Sequence, residues 1–168
     1  MTKFMKFAAV AAAALAATPA LAAPVAVTGA APTANARIIR PLTLTATGAL
    51  DFGTIVMNGV TATRTVTLND DASITCDAEL VCDTSGTVPT YTVTGTQGQT
   101  VNIIKATSVL SGSNGGSLTL TPVGDASLVL ANSGAPGSEF TIGGSIDVDA
   151  ATLDGVYTGT VDVQVDYN

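Results

Sequence analysis

The stretch Gly155 to Asn168, GVYTGTVDVQVDYN, decides the fold of this chain. Because side chains on a β-strand alternate between two faces, its pattern predicts a strand with one buried face and one wet face. The even positions from 158 to 166 carry threonine, aspartate or glutamine, and the inward positions are Tyr157, Gly159, Val161, Val163, Val165 and Tyr167. A strand with such a regular pattern is either an ordinary strand of a β-sandwich or a strand that a partner protein binds.

Threonine fills 25 of the 146 residues that follow residue 22, mostly at every second position. β-branched residues pack well on a pleated surface and lose rotamer freedom in helices. Segments between turn signals are therefore predicted as strands: 38–46, 50–57, 61–68, 89–95, 99–106, 117–121, 127–131, 139–149 and 156–167. Short strands at this spacing, without helical periodicity, predict an all-β fold of the β-sandwich type.

The last two of these segments predict a C-terminal hairpin. In 139–149 the even positions from Phe140 to Val148 are apolar or glycine, and the odd positions are small or polar. Residues 150–154 would turn the chain back into the last strand. Since each half has one apolar face, we expect the pairing register to be well specified.

The first 22 residues have the pattern of a cleaved secretory signal. Lys3 and Lys6 precede an uncharged apolar run at 7–17, and residues 20–22 (ALA) provide the small-x-small pattern for cleavage. The run is shorter than the roughly 20 residues that cross a bilayer. We predict cleavage after residue 22, export to the periplasm and then the cell surface or medium, and no membrane insertion afterwards. An N-terminal anchor is the alternative.

The charge of the remaining chain excludes several classes of function. Four basic residues remain against thirteen acidic ones, a net charge of −9, so nucleic acid would be repelled. The absence of histidine, with only two cysteines, excludes the common zinc sites and the Ser-His and Cys-His catalytic arrangements. The acidic residues are scattered over predicted turns and outward faces. We therefore predict no catalytic residue and no cofactor.

Four acidic residues on the outward faces of the predicted hairpin could gather a calcium ion, which takes six to eight oxygen ligands. They are Asp147, Asp149, Asp162 and Asp166. A solvated acidic face that keeps the sheet soluble explains them better. We prefer that interpretation and predict no metal.

Cys76 and Cys82 are predicted to form a structural disulfide, because disulfides persist in exported chains. The bond would close a loop of seven residues, worth about 2 kcal/mol on the chain-entropy model. A redox-active pair is disfavoured because the C-x-x-C spacing and a helix are both missing.

Residues 23–36, APVAVTGAAPTANA, form an N-terminal extension that we call the leader. The leader is small, uncharged and without a nearby strand partner. Its alternating positions are Val25, Val27, Gly29 and Ala31. Composition alone leaves open a frayed segment. The predicted organisation is a signal peptide at 1–22, the leader at 23–36 and one β-sandwich domain at 37–168.

The last strand resembles the C-terminal signature of chaperone–usher pilins, which has a penultimate tyrosine and a glycine fourteen residues from the end. Here Tyr167 is penultimate and Gly155 is the fourteenth residue from the end. Three segments together are similar to a bacterial secreted family known as domain of unknown function 4402, which we take to be pilin-like. They are 40–55 (RPLTLTATGALDFGTI), 140–146 (FTIGGSI) and 155–167 (GVYTGTVDVQVDY).

The resemblance implies an immunoglobulin-like β-sandwich that lacks one strand, with self-association into a surface fibre. A periplasmic chaperone would fill the resulting groove until a neighbour's leader replaces it, and an outer-membrane usher is a further implied partner. Main-chain hydrogen bonds and pockets for alternate side chains drive such strand addition. The implied donor residues are Val25, Val27, Gly29 and Ala31. The implied core and chaperone-recognition residues are Gly155, Tyr157, Val161, Val163, Val165 and Tyr167.

The alternative function is a self-contained secreted sandwich that binds a surface glycan or protein. Sugar sites usually need exposed aromatic faces, and the chain has no tryptophan. Phe140, Tyr157 and Tyr167 lie at the inward positions of their predicted strands. Phe52 lies on the same apolar side of the LDFG segment as Leu50. The residues therefore favour a structural role.

Overall fold

The computed structural model describes residues 23–168, and the predicted signal peptide at 1–22 lies outside the described residues. The chain divides into two units, one ending at Ala36 and one formed by Arg37–Asn168. In the described part of the first unit, residues 23–36, every residue is exposed and no strand forms. Among residues 23–168, no helix is long and apolar enough to span a membrane.

The Arg37–Asn168 unit is built from short antiparallel strands. They are β1 (Thr43–Thr47), β2 (Ile55–Met57), β3 (Arg64–Leu68), β4 (Ile74–Cys76), β5 (Leu80–Cys82), β6 (Thr90–Thr94), β7 (Thr100–Ala106), β8 (Ser108–Gly112), β9 (Ser117–Val123), β10 (Ser127–Val129), β11 (Ser138–Thr141), β12 (Gly143–Val148), β13 (Tyr157–Thr158) and β14 (Asp162–Tyr167). The all-β prediction is confirmed, and the arrangement is consistent with a β-sandwich. Each predicted segment overlaps at least one strand, whereas β4, β5 and β8 were not predicted.

The strands form sheets in the orders β1-β6-β11, β10-β7-β14, β13-β8-β9-β12-β3-β4 and β2-β5. Two apolar cores lie between them. Core 1 consists of Phe52, Val66, Leu68, Leu80, Leu118, Leu120, Ile146 and Val148. Core 2 consists of Tyr91, Val93, Val101, Ile103, Leu130, Phe140 and Ile142. The two three-stranded sheets pack on either side of core 2, because both contribute buried residues to it.

Consecutive strands pass from one sheet to another with short breaks. Only Ile142 separates β11 from β12, and only Thr107 separates β7 from β8, yet the members of each pair belong to different sheets. Val161, between β13 and β14, packs against both cores. The two cores are therefore neighbours, because the same stretches of chain continue from the sheets of one core into the sheets of the other.

The predicted C-terminal hairpin is wrong. β12 pairs with β3 and β9, whereas β14 pairs with β7 and β13 with β8. The last segment breaks at Gly159, where an added Cβ would lie 2.6 Å from the carbonyl oxygen of Val109 in β8. The predicted buried face is nevertheless correct from Phe140 to Val148, where every even position is buried. Alternation specifies which face is buried, while the pairing partner comes from distant sequence.

The predicted disulfide joins Cys76 and Cys82, whose Cα atoms are 6.3 Å apart. Cys76 ends β4 in the six-stranded sheet, and Cys82 ends β5 opposite Ile55 of β2. Both cysteines pack against core 1. The bond therefore ties the two sheets that enclose core 1.

The turn between the cysteines is held by Glu79, whose φ of +71° lies in a region that non-glycine residues rarely adopt. Its carboxylate accepts a hydrogen bond from the Thr61 amide at 3.0 Å and pairs with the Arg64 guanidinium at 3.0 Å. The hydrogen bond from Arg64 is the largest cause that holds the pKa of Glu79 below its usual range. The ionised carboxylate thus fastens the turn to the strand that begins at Arg64.

The disulfide leads to a first prediction. The unreduced protein should have the mass expected for loss of both thiol hydrogens, and no thiol should react after unfolding. The double variant Cys76→Ala/Cys82→Ala should still fold, with a free energy of unfolding lower by about 2 kcal/mol in urea titrations. Two reactive thiols in periplasmic material would refute the prediction.

The Arg64–Glu79 pair leads to a second prediction, on pH. Because the folded-state pKa of Glu79 is lowered, its stabilisation is present above the usual carboxyl pKa and is lost as pH falls through the lowered value. Glu79→Gln should therefore reduce the free energy of unfolding most at neutral pH and progressively less in acid. Urea titrations across acidic to neutral pH, with Glu139→Gln on β11 as control, measure this. A pH-independent loss would contradict it.

Candidate functional site

Four strand edges beside core 2 have no further strand among the described residues, those of β1, β10, β11 and β14, and the two longest belong to β1 and β14. β14 is the outermost strand of the sheet β10-β7-β14, and β1 is the outermost strand of β1-β6-β11. Neither has a further strand on its other side within the described residues. They are the two longest strands at any sheet edge here, with six and five residues. Such an edge presents a row of N–H and C=O groups that another strand can pair with.

The apolar side chains along these two edges are only half-buried. Val93 and Val101, in the central strands of the same two sheets, are 0% exposed. The half-buried residues pack against core 2 from its open side, and we call the surface that they form the groove: Leu42, Leu44, Val161, Val163, Val165 and Tyr167. Core 2 thus lacks part of its cover between β1 and β14.

The opposite flank of core 2, between β10 and β11, is only partly covered. Leu128 of β10 is half-buried against the core there, and Leu128 and Val129 line a concavity together with residues 136–139. There, β10 and β11 are joined by residues 130–137, and Leu130 is 1% exposed within the core. The Ala131 amide donates to the Ser138 hydroxyl at 2.9 Å, which fastens this connection across the flank. A connecting segment therefore crosses this flank, whereas the groove lies on the β1 and β14 side.

Most, but not all, of the predicted C-terminal residues meet in the groove. Val161, Val163, Val165 and Tyr167 line it, whereas Tyr157 packs against core 1. Gly155 is exposed at a φ of +147°, next to Ser113. The chain changes sheets between β13 and β14. A single alternating row of apolar residues in the sequence therefore contributes to two different cores.

Leu42 and Leu44 are groove residues that the sequence reasoning missed. They alternate with threonines in PLTLTATG, so their inward parity was visible in the sequence. What was not visible is that β1 occupies an edge, where its partner is β6 alone. Alternation cannot distinguish an edge strand from a central one.

The four acidic residues considered as a calcium site do not share one hairpin. Asp147 lies in β12, whereas Asp162 and Asp166 lie in β14 of another sheet. The Asp147 carboxylate accepts a hydrogen bond from the Thr65 hydroxyl at 2.6 Å, and that of Asp149 accepts one from the Ala151 amide at 2.9 Å. Among residues 23–168, no group of three or more potential metal ligands gathers. These side chains solvate outer faces and turns.

No aromatic ring within residues 23–168 is exposed. Phe52, Tyr91 and Phe140 are buried, with the last two rings stacked at a centroid distance of 5.2 Å. Tyr157 and Tyr167 are half-buried, and each hydroxyl donates to a backbone carbonyl. The described surface therefore offers no aromatic platform for a sugar ring.

The leader presents its predicted donor residues to solvent. Val25 is 92% exposed and Val27 is 70% exposed. Gly29 has a φ of +104°, so the segment is not extended at that point. Ala31 is also exposed. The apolar row of the leader is thus uncovered within its own unit.

Comparison with known proteins identifies a family. Residues 42–167 match the model of a family described as a domain of unknown function (DUF4402). The match covers most of the chain, so the chain belongs to this family. No curated protein and no solved structure matches it.

The groove leads to a third prediction. Val163→Asp puts a carboxylate onto the half-buried face of β14, which should lower the free energy of unfolding by about 1–3 kcal/mol. Asp162→Asn lies on the exposed face of the same strand and should change it by less than about 0.5 kcal/mol. Urea titrations of both variants test the strand parity. Equal losses would show that the assigned faces of β14 are wrong.

Proposed function

We propose that this member of the DUF4402 family is a non-enzymatic structural subunit of a bacterial surface fibre, assembled by donor-strand exchange. In this proposal the domain is an immunoglobulin-like sandwich that lacks one strand, and the leader of a neighbouring subunit supplies it. The observation that carries the proposal is the groove, in which two unpaired edges flank one open side of an apolar core.

The chemistry of the groove suits an extended peptide. An inserted strand would pair its main chain with the six residues of β14, and its alternate side chains would cover the half-buried apolar row. Such a strand must be apolar on one face and uncharged in the groove. No concave aromatic site competes with this interpretation among the described residues.

The leader has the composition that the groove requires. Its alternating residues Val25, Val27, Gly29 and Ala31 span seven positions, as do the groove residues from Val161 to Tyr167. The leader carries no charged side chain, so inserting it beside core 2 would bury no ionised side chain. Its exposed valines would gain apolar burial in the groove of a neighbour.

The outer face of β14 supports regulated rather than indiscriminate pairing. Asp162, Gln164 and Asp166 alternate outward, and all three are exposed. Charged side chains along an edge strand discourage unselective edge-to-edge association. The net charge of −9 that remains after signal removal acts in the same direction.

Export and assembly complete the proposal. A groove of this kind would expose apolar surface during transit, so a periplasmic chaperone would occupy it until assembly. An outer-membrane usher would then present the subunit to its neighbour. The final location would be the cell surface or the surrounding medium.

A pair of leader variants gives the fourth prediction. Deleting residues 23–36 should leave the domain folded but abolish polymerisation. Appending the same segment after Asn168 through a short flexible linker, in the deletion variant, should let the chain fill its own groove at millimolar effective concentration. The expected product is a soluble monomer with a higher melting temperature, measured by size-exclusion chromatography and thermal melts.

A matched control and two contrary outcomes accompany this experiment. The appended segment with Val27→Asp should give no stabilisation, because the carboxylate would enter the groove. If deletion alone unfolds the domain, the leader pairs within its own chain. If the parent is a stable monomer and neither the deletion nor the appended segment changes its behaviour, the fibre proposal is refuted.

A further inference from the structure

The groove has two ends that differ. At the first end, Tyr167 lies opposite Val101 at the start of β7, and Thr43 of β1 lies opposite Thr94 at the end of β6. We call this the Tyr167 end. The start of β1 and the end of β14 therefore lie together, and the two strands run in opposite directions along the groove.

The second end is where β14 begins. Asp162 lies opposite Ala106 at the end of β7, and Thr47 of β1 lies opposite Thr90 at the start of β6. We call this the Asp162 end. Burial, and secondly the Asp162 charge, raise the pKa of Tyr91, which is consistent with β14 beginning close to β6.

A closed ring of hydrogen bonds bridges the Tyr167 end. The Arg40 amide donates to the Thr96 hydroxyl at 2.7 Å, and the Thr96 amide donates to the Tyr167 hydroxyl oxygen at 2.9 Å. The Tyr167 hydroxyl in turn donates to the Arg40 carbonyl at 2.7 Å. We call these three residues the clasp. It ties the segment before β1 to the last residue of β14, across the mouth of the groove.

Tight packing at Gly95 leaves no slack in the clasp. A Cβ at this position would lie 2.5 Å from the Tyr167 hydroxyl oxygen, 2.7 Å from the Leu130 side chain and 2.8 Å from the Leu42 side chain. A residue with a Cβ here would require at least one of these side chains to shift. The hydroxyl therefore sits in a fitted site rather than at a loose surface position.

The Asp162 end has no such bridge. Among the described residues, no hydrogen bond joins the end of β1 to the start of β14. The nearest side-chain tether is the Ser108 hydroxyl, which donates to the Thr160 carbonyl at 2.6 Å on the β8 side. A strand lying in the groove would thus leave it unobstructed at this end and meet the clasp at the other.

We propose that the clasp is an end stop that fixes the direction and register of the inserted leader, with Tyr167 as its positioning residue. This inference rests on the proposed function. A leader continues at Arg37 into its own domain, so its C-terminal side must leave the groove through the open Asp162 end. Its N-terminal side then points at the clasp, and the strand runs antiparallel to β14.

The spacing of the two apolar rows gives the register. Both rows have four inward positions with a period of two residues. From the clasp outward, the β14 row is Tyr167, Val165, Val163 and Val161, and the leader row is Val25, Val27, Gly29 and Ala31. The larger leader residues then lie next to the clasp and the smallest lie toward Asp162.

Photo-crosslinking in the full mature chain tests this arrangement. A benzophenone amino acid replaces Ala26 in one variant and Ala30 in another, both at outward leader positions. After polymerisation and illumination, mass spectrometry maps the crosslinked neighbour residues. We expect the probe at 26 to label residues 95–97 and 166–168, and the probe at 30 to label residues 160–163.

Tyr167→Phe keeps the ring and removes the hydroxyl that closes the clasp. Polymers of this variant should still form, but the probe at 26 should label additional positions displaced by two residues, because the end stop is lost. Tyr157→Phe is the matched control, since its hydroxyl also donates to a backbone carbonyl, at 2.8 Å, but beside core 1. It should leave the single register unchanged.

The outcomes separate this inference from the proposed function. If polymers form but the probe at 26 labels residues 160–163 and the probe at 30 labels the clasp end, the leader runs in the opposite direction. That result would refute the clasp as an end stop but support donor-strand exchange. An unchanged single register in Tyr167→Phe would do the same. Absence of both polymer and intermolecular crosslinks in the wild type would refute the proposed function and the clasp together. If Tyr167→Phe fails to fold, the wild-type labels still decide the direction.

Discussion

A strand edge beside an apolar core carries main-chain donors and acceptors that must be matched by something, whether another strand, covering chain or water. This constraint is met differently on the two flanks of core 2. Residues 130–137 cross one flank and place Leu130 in the core, whereas the other flank ends in β1 and β14. The half-buried valines, the acidic outer face of β14 and the clasp all border that second flank.

The two cores also differ in how the sheets around them are held together. Core 1 is enclosed by the six-stranded sheet and the β2-β5 pair, and the disulfide ties these two together. Core 2 has no covalent tie across its open side, where the clasp provides hydrogen bonds instead. The half of the unit around core 1 is thus tied covalently, and the half around core 2 keeps a partly uncovered apolar surface between β1 and β14.

Alternation allowed the buried faces to be predicted but not the pairing. The inward rows from Phe140 to Val148 and from Val161 to Tyr167 were predicted correctly, because a period of two residues reports the face directly. The partners of those rows depend on β3 and β7, which lie far away in sequence. Nothing local marks Ile142 or Gly159 as a point where the chain changes sheets.

The candidate site was partly predictable for the same reason. The β14 row and the leader row were visible as alternations, and two cysteines in a chain predicted to be exported indicated the disulfide. The roles of Arg40 and Thr96 were not visible, because their hydrogen bonds span 127 and 71 residues. The short strands β4, β5 and β8 lie among turn-forming residues, so composition concealed them.

The pairing of strands that are distant in sequence also affects how fast the unit folds. The Thr65 hydroxyl meets the Asp147 carboxylate across 82 residues, and β7 receives β14 only when the end of the chain is available. Sheets assembled from such non-local contacts form slowly, because loop-closure entropy is lost before the contacts compensate for it. During that interval β7 itself is an open edge, and core 2 is exposed more widely than in the folded unit. Until β14 pairs with β7, another strand could pair with the β7 edge in its place.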